Sequence, residues 1–299
     1  MTAKVSDKIS DQIENLTAQN SQLIMQLGYY CGHPSSARNR SPLQITSDMV
    51  LSLLNIPELE HADIEYVMHN KKRIPPEDRA RTERILETQQ FREWTVDATS
   101  RELLIHGDFN GTQYVSGLTF FCCSLLEAMR NSGRFPFIAF FCGRHIDEDD
   151  PYAGGRGMIR SLISQLLRQR EFDMTNAREI DFGLVEQGDI QQLCKLFTWC
   201  VYHVPQDIAL FCVIDGVRYY EREQYLDDFG EVLLSILELT RDGQVRCAFK
   251  VLITSPSPTT VIRQAVDEED TLSMASHPKT GQAFSHLRVS RRLQENLVM

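Results

Sequence analysis

Four short apolar runs, separated by amphipathic stretches, restrict this chain more than any other feature. They are Leu103–Ile105, Phe137–Cys142, Ile208–Ile214 and Phe249–Thr254. Lys250 apart, each is short and continuously apolar rather than alternating, which fits strands of a parallel sheet covered on each side. Helical patterns lie between them. One buries Leu118, Phe121, Cys122, Leu125 and Met129, and a second Met158, Ile159, Leu162, Ile163, Leu166 and Leu167. A third, which Asp189 can cap, carries Leu193, Leu196, Phe197 and Cys200, and a fourth Leu226, Phe229, Leu233, Ile236 and Leu237. Leu272 to Ala275 supplies one more strand. This alternation predicts an α/β fold built on a parallel sheet. Ligands of such sheets bind beyond the carboxyl ends of the strands, so a site is sought after Ile105, Ile214 and Thr254.

The flanks divide the chain further. Residues 1–30 read as an amphipathic helix, with Ile9, Ile13, Leu16, Asn20, Leu23 and Leu27 at alternating steps of four and three. Two readings fit: a coiled-coil seam over residues 4–27 whose Asn20 fixes the register of a dimer, or a short helix docked on its own domain. Residues 31–46 are rich in Ser, Pro and Arg and form a linker. Residues 47–100 form a helical lead-in broken at Pro57 and at Pro75-Pro76, where Pro76, Glu77 and Asp78 favour a new helix start. Residues 101–280 hold the α/β domain, and residues 281–299 form a tail.

Charge and cysteine usage exclude several classes. The 299 residues carry 31 Lys and Arg against 41 Asp and Glu, a formal charge of −10. A dedicated binder of nucleic acid or of an anionic membrane needs a cationic face, so neither partner is expected. No run of 18 apolar residues occurs, and the start MTAKVSDKISDQ lacks the apolar core of a signal peptide, so a cytoplasmic location is expected. Eight cysteines are too sparse for a disulfide scaffold, and no C-x-x-C is present, so no zinc site is expected.

A phosphate-binding α/β protein places G-x-x-x-x-G-K-[ST] after its first strand; the loop N–H groups cradle phosphates, the Lys meets the terminal ones and the hydroxyl holds Mg²⁺. This chain offers Gly107-Asp108-Phe109-Asn110-Gly111-Thr112-Gln113-Tyr114. Counted from Gly107, Gln113 stands at the Lys and Tyr114 at the hydroxyl. No Lys or Arg lies between Leu103 and Met129, and Asp108 adds a negative charge. Ser116-Gly117 can cap the next helix, a weak anion-binding geometry, and an ordinary strand-to-helix connection fits the same residues. Asp215, at the end of the third run, suits a Mg²⁺-holding carboxylate, although many parallel strands end in Asp. Thr254 and Ser255 close the fourth run.

In that order, LLIHG, MIRSLISQLL, ALFCVIDG and FKVLITSP resemble the NACHT-type NTPase domain of the STAND class, particularly its large fungal set. Phe140-Phe141-Cys142-Gly143-Arg144 looks like the family's FFF-x-x-R strand. Met158–Leu167 looks like its Leu-rich helix, with Arg160, Ser161 and Gln165 in place. Asp215 matches the Walker B Asp, and Lys250–Ser255 the sensor strand. Leu53–Pro57 and Phe91–Trp94 resemble the fungal lead-in, so the likeness covers about residues 50–275. It implies a P-loop NTPase-like three-layer sandwich with an N-terminal helical extension. It also implies a vestigial nucleotide site at Gly107, Asn110, Gly111, Gln113, Ser116, Asp215, Thr254 and Ser255, with Asp215 as metal ligand if Mg²⁺ binds.

The departures from the family shape the functional expectation. Gln113 replaces the Lys, Arg218 and Tyr219 stand in place of the second Asp and the water-activating Glu, Pro256 replaces the sensor Arg, and Glu221 falls two residues late. They imply no catalytic residue and no cofactor. The expectation is a pseudo-NTPase acting as an intracellular interaction or signalling module, with protein partners and self-association through residues 4–27. The alternative is an atypical ATP-binding switch that keeps Asp215 and backbone phosphate contacts, with ATP and Mg²⁺ as ligands. A hydrolase of another type finds no G-x-S-x-G or Cys-His context. The winged-helix region and repeat sensor of full-length members do not fit within the chain, so a complete nucleotide switch is not expected from it alone.

Overall fold

The computed structural model describes residues 45–107, 114–147, 149–276 and Arg291. By its contacts the chain divides after Gln44, and everything described lies in the second unit, residues 45–299. The readings of residues 1–30, of the linker up to Gln44 and of the tail beyond Ser276, Arg291 excepted, fall outside the described residues.

The lead-in forms four helices: α1 (Ser47–Leu54), α2 (Leu59–Asn70), α3 (Pro76–Glu83) and α4 (Gln89–Val96). Pro76 opens α3 as expected, where its missing N–H costs nothing. Then follow β1 (Arg101–His106), α5 (Gly117–Ser132), β2 (Phe137–Phe141), α6 (Gly154–Gln169), α7 (Phe182–Gln187), α8 (Ile190–Tyr202), β3 (Ala209–Asp215), α9 (Glu223–Arg241), β4 (Ala248–Ser255) and β5 (Thr271–Ser273). Asp189 caps α8 by accepting from the Gln192 N–H at 2.9 Å. Two elements differ from expectation. The last strand stops at Ser273 and turns, burying Met274, whose carbonyl accepts from Arg81. Helix α6 starts four residues before Met158, through three glycines. At Gly155 a Cβ would lie 2.4 Å from the Asp228 carbonyl oxygen, so the glycine permits the backbones of α6 and α9 to meet. None of the described helices is long and apolar enough to cross a membrane.

All five strands are parallel, in the order β2-β3-β4-β1-β5. The strands ending at Asp215 and Ser255 are therefore neighbours, and β4 lies against β1. Successive residues point to opposite faces. Leu103, Ile105, Phe141, Phe211, Val213 and Leu252 share a core with Leu118, Phe121, Leu125 and Met129 of α5 and with Phe91 and Trp94 of α4. Leu104, Phe140, Cys212, Ile214, Val251 and Ile253 are equally buried on the other face, against α6, α8 and α9. The result is a three-layer sandwich with its sheet covered on both sides, which is why no strand alternates polar and apolar.

Handedness then locates the site. The connection from β1 through α5 runs to the far edge, whereas those from β2 to β3 and β3 to β4 return. Right-handed crossovers place α5 on one face and α6, α8 and α9 on the other. Chains leaving β1 and β4 diverge to opposite faces, opening a crevice at their carboxyl ends.

The edge strand β2 is closed by side chains. Gln165 donates to the Ala139 carbonyl and accepts from its N–H, both at 2.8 Å, and Gln169 donates to the Phe137 carbonyl at 2.8 Å. One turn apart on α6, the two amides satisfy the ladder a further strand would use. Arg160 and Arg168 of α6 donate to the carbonyls of Leu54 and Ile56 at 2.5 and 2.6 Å, tying α1 to the same helix.

His145 makes a second tie between lead-in and domain. It is buried, stacked on Phe140, and held between two carboxylates, with Nε2 3.0 Å from Asp63 of α2 and Nδ1 2.8 Å from Asp150. Burial alone would lower its pKa, but the two carboxylates, Asp63 foremost, outweigh it and raise it. A raised imidazole contributes stability that is complete below the unfolded value near 6.5 and is lost as pH rises through the folded value. Urea unfolding across pH 6 to 9 should show that loss in the wild-type chain and a flatter profile in His145→Gln. Equal slopes would show that the imidazole carries no charge here.

Candidate functional site

The crevice is floored by Asp215. Its Oδ1 accepts from the Thr254 hydroxyl at 2.5 Å across the β3–β4 pairing. The side chain points toward α5, because Asp215 continues the face of Phe211 and Val213. Burial raises the Asp215 pKa to about 6, against opposing hydrogen bonds from Thr254 and Thr119. Asp215 Oδ2 makes no hydrogen bond of ordinary geometry among the described residues.

Thr119 is the residue that sequence reasoning missed. It lies in the first turn of α5 and completes a capping box: Ser116 Oγ accepts from the Thr119 N–H and Thr119 Oγ1 from the Ser116 N–H, each at 3.1 Å. The Ser116 hydroxyl is thereby spent on the helix. Cys122, one turn on, sets its Sγ 3.9 Å from Thr254 Oγ1. The hydroxyl that α5 brings to Asp215 thus comes from the last residue of Ser116-Gly117-Leu118-Thr119. The available signal was the spacing Gly-x-Thr at a helix start.

The other expected residues gather less tightly around Asp215. Gly107 follows β1, donating to the Ser255 carbonyl at 2.7 Å. The Ser255 hydroxyl turns to the Ser257 carbonyl at 2.5 Å, so it closes the Ser-Pro turn rather than facing the crevice. Asn110, Gly111 and Gln113 lie outside the described residues. Tyr114 and Tyr219 meet edge to face at 5.6 Å between ring centres. Gly143 lies under this pair: a Cβ there would stand 2.4 Å from the Tyr114 carbonyl oxygen and 2.9 Å from the Tyr219 ring, so only glycine permits the approach. Burial pushes the Tyr219 phenol well above its ordinary pKa, with Asp215 adding to the effect. A phenol so held is not a base near neutral pH.

Basic groups that could offset a triphosphate are engaged elsewhere. Arg144 sits 3.6 Å over the Tyr66 ring and 3.4 Å from Asp63. Arg218 pairs with Glu221 at 2.5 Å, and Arg156 reaches Asp228 at 3.7 Å. Glu221 is itself captured. Its carboxylate accepts from the backbone N–H groups of Thr260, Val261 and Ile262 at 3.1, 2.9 and 3.0 Å. Burial works to raise its pKa, but those donors and Arg218 together lower it. The acid two residues late in the motif is therefore a fastener between the loops after β3 and β4. All seven cysteines among the described residues are buried and unpaired in disulfides.

The strand order, the aspartate closing β3 beside a hydroxyl from β4, and the capped helix entering after β1 define a P-loop NTPase-like domain of the NACHT/STAND type. The sequence profile described as Nephrocystin 3, N-terminal, matches residues 80–256, more than half the chain. The chain belongs to this family. No curated protein matches it significantly. Among solved structures, a chain of "Structure of Drosophila ORC bound to GC-rich DNA and Cdc6" is 13% identical over 81% of this chain, with a TM-score of 0.33. This chain spans 36% of the length of that one.

Proposed function

We propose that this chain is a catalytically degenerate NACHT-like domain serving as a cytoplasmic protein-interaction and signalling module. The observation that carries the reading is the electrostatics of the crevice. A phosphate-loop site needs a lysine, and neither register supplies one. Counted forward from Gly107 the position is Gln113. Counted back from the hydroxyl beside Asp215 it is Leu118, which is fully buried. The residues present fit a nucleoside triphosphate poorly, because Arg144, Arg156 and Arg218 are paired with carboxylates and a buried carboxylate already needs compensation. The general base is missing in the same way, with Tyr219 at its place and Glu221 fastened to backbone. Partners are then proteins, a second copy through residues 4–27 among them.

One observation favours a second reading, an ATP-binding switch. Thr119 lies close enough to Asp215 to act on its pKa, a hydroxyl beside a carboxylate of the kind that holds Mg²⁺ in phosphate-loop proteins. Thermal melting with Mg-ATP separates the two. A ligand at 100 times its dissociation constant stabilises a fold by about 2.7 kcal/mol, a rise of about 5–10 °C for a unit of this size. No rise and no Mg²⁺-dependent hydrolysis are expected at millimolar Mg-ATP. A Mg²⁺-dependent rise that Asp215→Ala abolishes would establish the switch instead.

A further inference from the structure

Away from the crevice, α8 and α9 leave a groove of about 630 Å³ on the outer face of the domain. On α8 its lining recurs at steps of three and one from Gln191 to Tyr202, and on α9 from Glu231 to Glu238, so each helix presents one continuous stripe. The eleven-residue advance along α8 makes the groove about 16 Å long, the length of three helical turns. Its floor is apolar: Ile180, Cys194, Trp199 and Leu234, the last 52% exposed although its neighbours Val232 and Leu233 are buried. Its rim is acidic. Glu179, Glu231 and Glu238 are exposed around it against a single Lys195, and at one end Tyr202 donates to the carboxylate of Asp242.

We propose that this groove docks a basic amphipathic helix of a partner protein. A groove the length of three turns with an apolar floor takes residues spaced i, i+3, i+4 and i+7, as helix-in-groove recognition requires. The surplus of glutamate selects lysine and arginine on the flanks of the guest and repels acidic helices. The lone Lys195 leaves the rim at a net charge of −2 from the three glutamates and one lysine, so the selection has a definite sign. The proposal rests on the interaction-module reading and gives it a surface and a partner chemistry. It does not involve the crevice.

The test is selection from a displayed library of 16-residue helical peptides against the full chain, followed by titration of an enriched peptide. Trp199 is the reporter, since the other tryptophan, Trp94, is buried at 1% exposure. Enriched sequences should carry an apolar stripe flanked by Lys or Arg, and should change Trp199 fluorescence. Charge reversal in Glu231→Lys with Glu238→Lys should weaken binding about tenfold, and Lys195→Glu should tighten it severalfold. A gain of affinity cannot arise from misfolding, so the second variant keeps the test decisive. Acidic or uncharged winners, no enrichment, or binding indifferent to both variants would overturn the proposal. So would self-association abolished by Leu234→Glu, which would assign the face to a second copy. Failure here with no Mg-ATP effect on melting removes the groove and leaves the module reading; a Mg-ATP effect removes the module reading itself.

Discussion

Replacing Asp215 by asparagine is expected to make the chain more stable relative to wild type as pH rises, by about 2 kcal/mol between pH 4 and pH 7.5. The folded carboxyl titrates at about 6 against an ordinary 3.8, because burial disfavours its charge. A raised carboxylate pKa means that the folded state holds its proton longer than the unfolded one, so wild-type stability falls as pH climbs from 3.8 through 6. The interval of about two pKa units sets the magnitude. The Asp215→Asn side chain keeps an oxygen to accept from Thr254 but has no charge to desolvate, so the variant's profile lacks that fall. Denaturant titrations of both proteins at several pH values read the difference directly. Parallel profiles would show that burial leaves the Asp215 pKa at its ordinary value. This window lies below the one in which His145 titrates, so the two effects separate.

Trp94→Ala is expected to cost about 3–5 kcal/mol, the range for deleting a buried indole. Trp94 meets Phe211 of β3 edge to face at 5.5 Å and Phe91 at 5.6 Å, and its Nε1 donates to the Arg101 carbonyl at 3.1 Å. Truncation leaves a cavity against the sheet and an unpaired carbonyl at the start of β1. Trp94→Phe should recover most of the loss by refilling the space. A cost below about 1 kcal/mol, measured by urea unfolding, would mean that the lead-in merely rests on the domain.

The contrast between those residues shows how far the sequence carries. Continuous apolar runs located four strands, three of them to within a residue at each end and β1 by its central Leu103–Ile105. A strand buried on both faces is mostly apolar, with Glu102 and Lys250 the buried exceptions here. Asp215 and Thr254 were legible as the polar residues that close such runs, although both are buried in the fold. The motif order of β1, α6, β3 and β4 identified the domain class, since helix and strand periods depend only on neighbours along the chain.

Where the phosphate-loop pattern falls was decided by tertiary structure. Between Gly107 and Gly117 the sequence carries neither a strand nor a helix period, so it imposes no register on the pattern. Only the capping of α5 and its approach to Asp215 single out Thr119, and with it Leu118. The fates of Glu221 and of the arginines were equally closed to sequence. A charged side chain is exposed by default, and the backbone donors of residues 260–262 lie about forty positions away from the acid they hold. Likewise nothing along the chain told that Gln165 and Gln169 of α6 lie beside the edge of β2. Local pattern determined the elements and the class of fold. Long-range packing decided which polar groups meet at the site, because hydrogen bonds and charge depend on distance in space and not on distance along the chain.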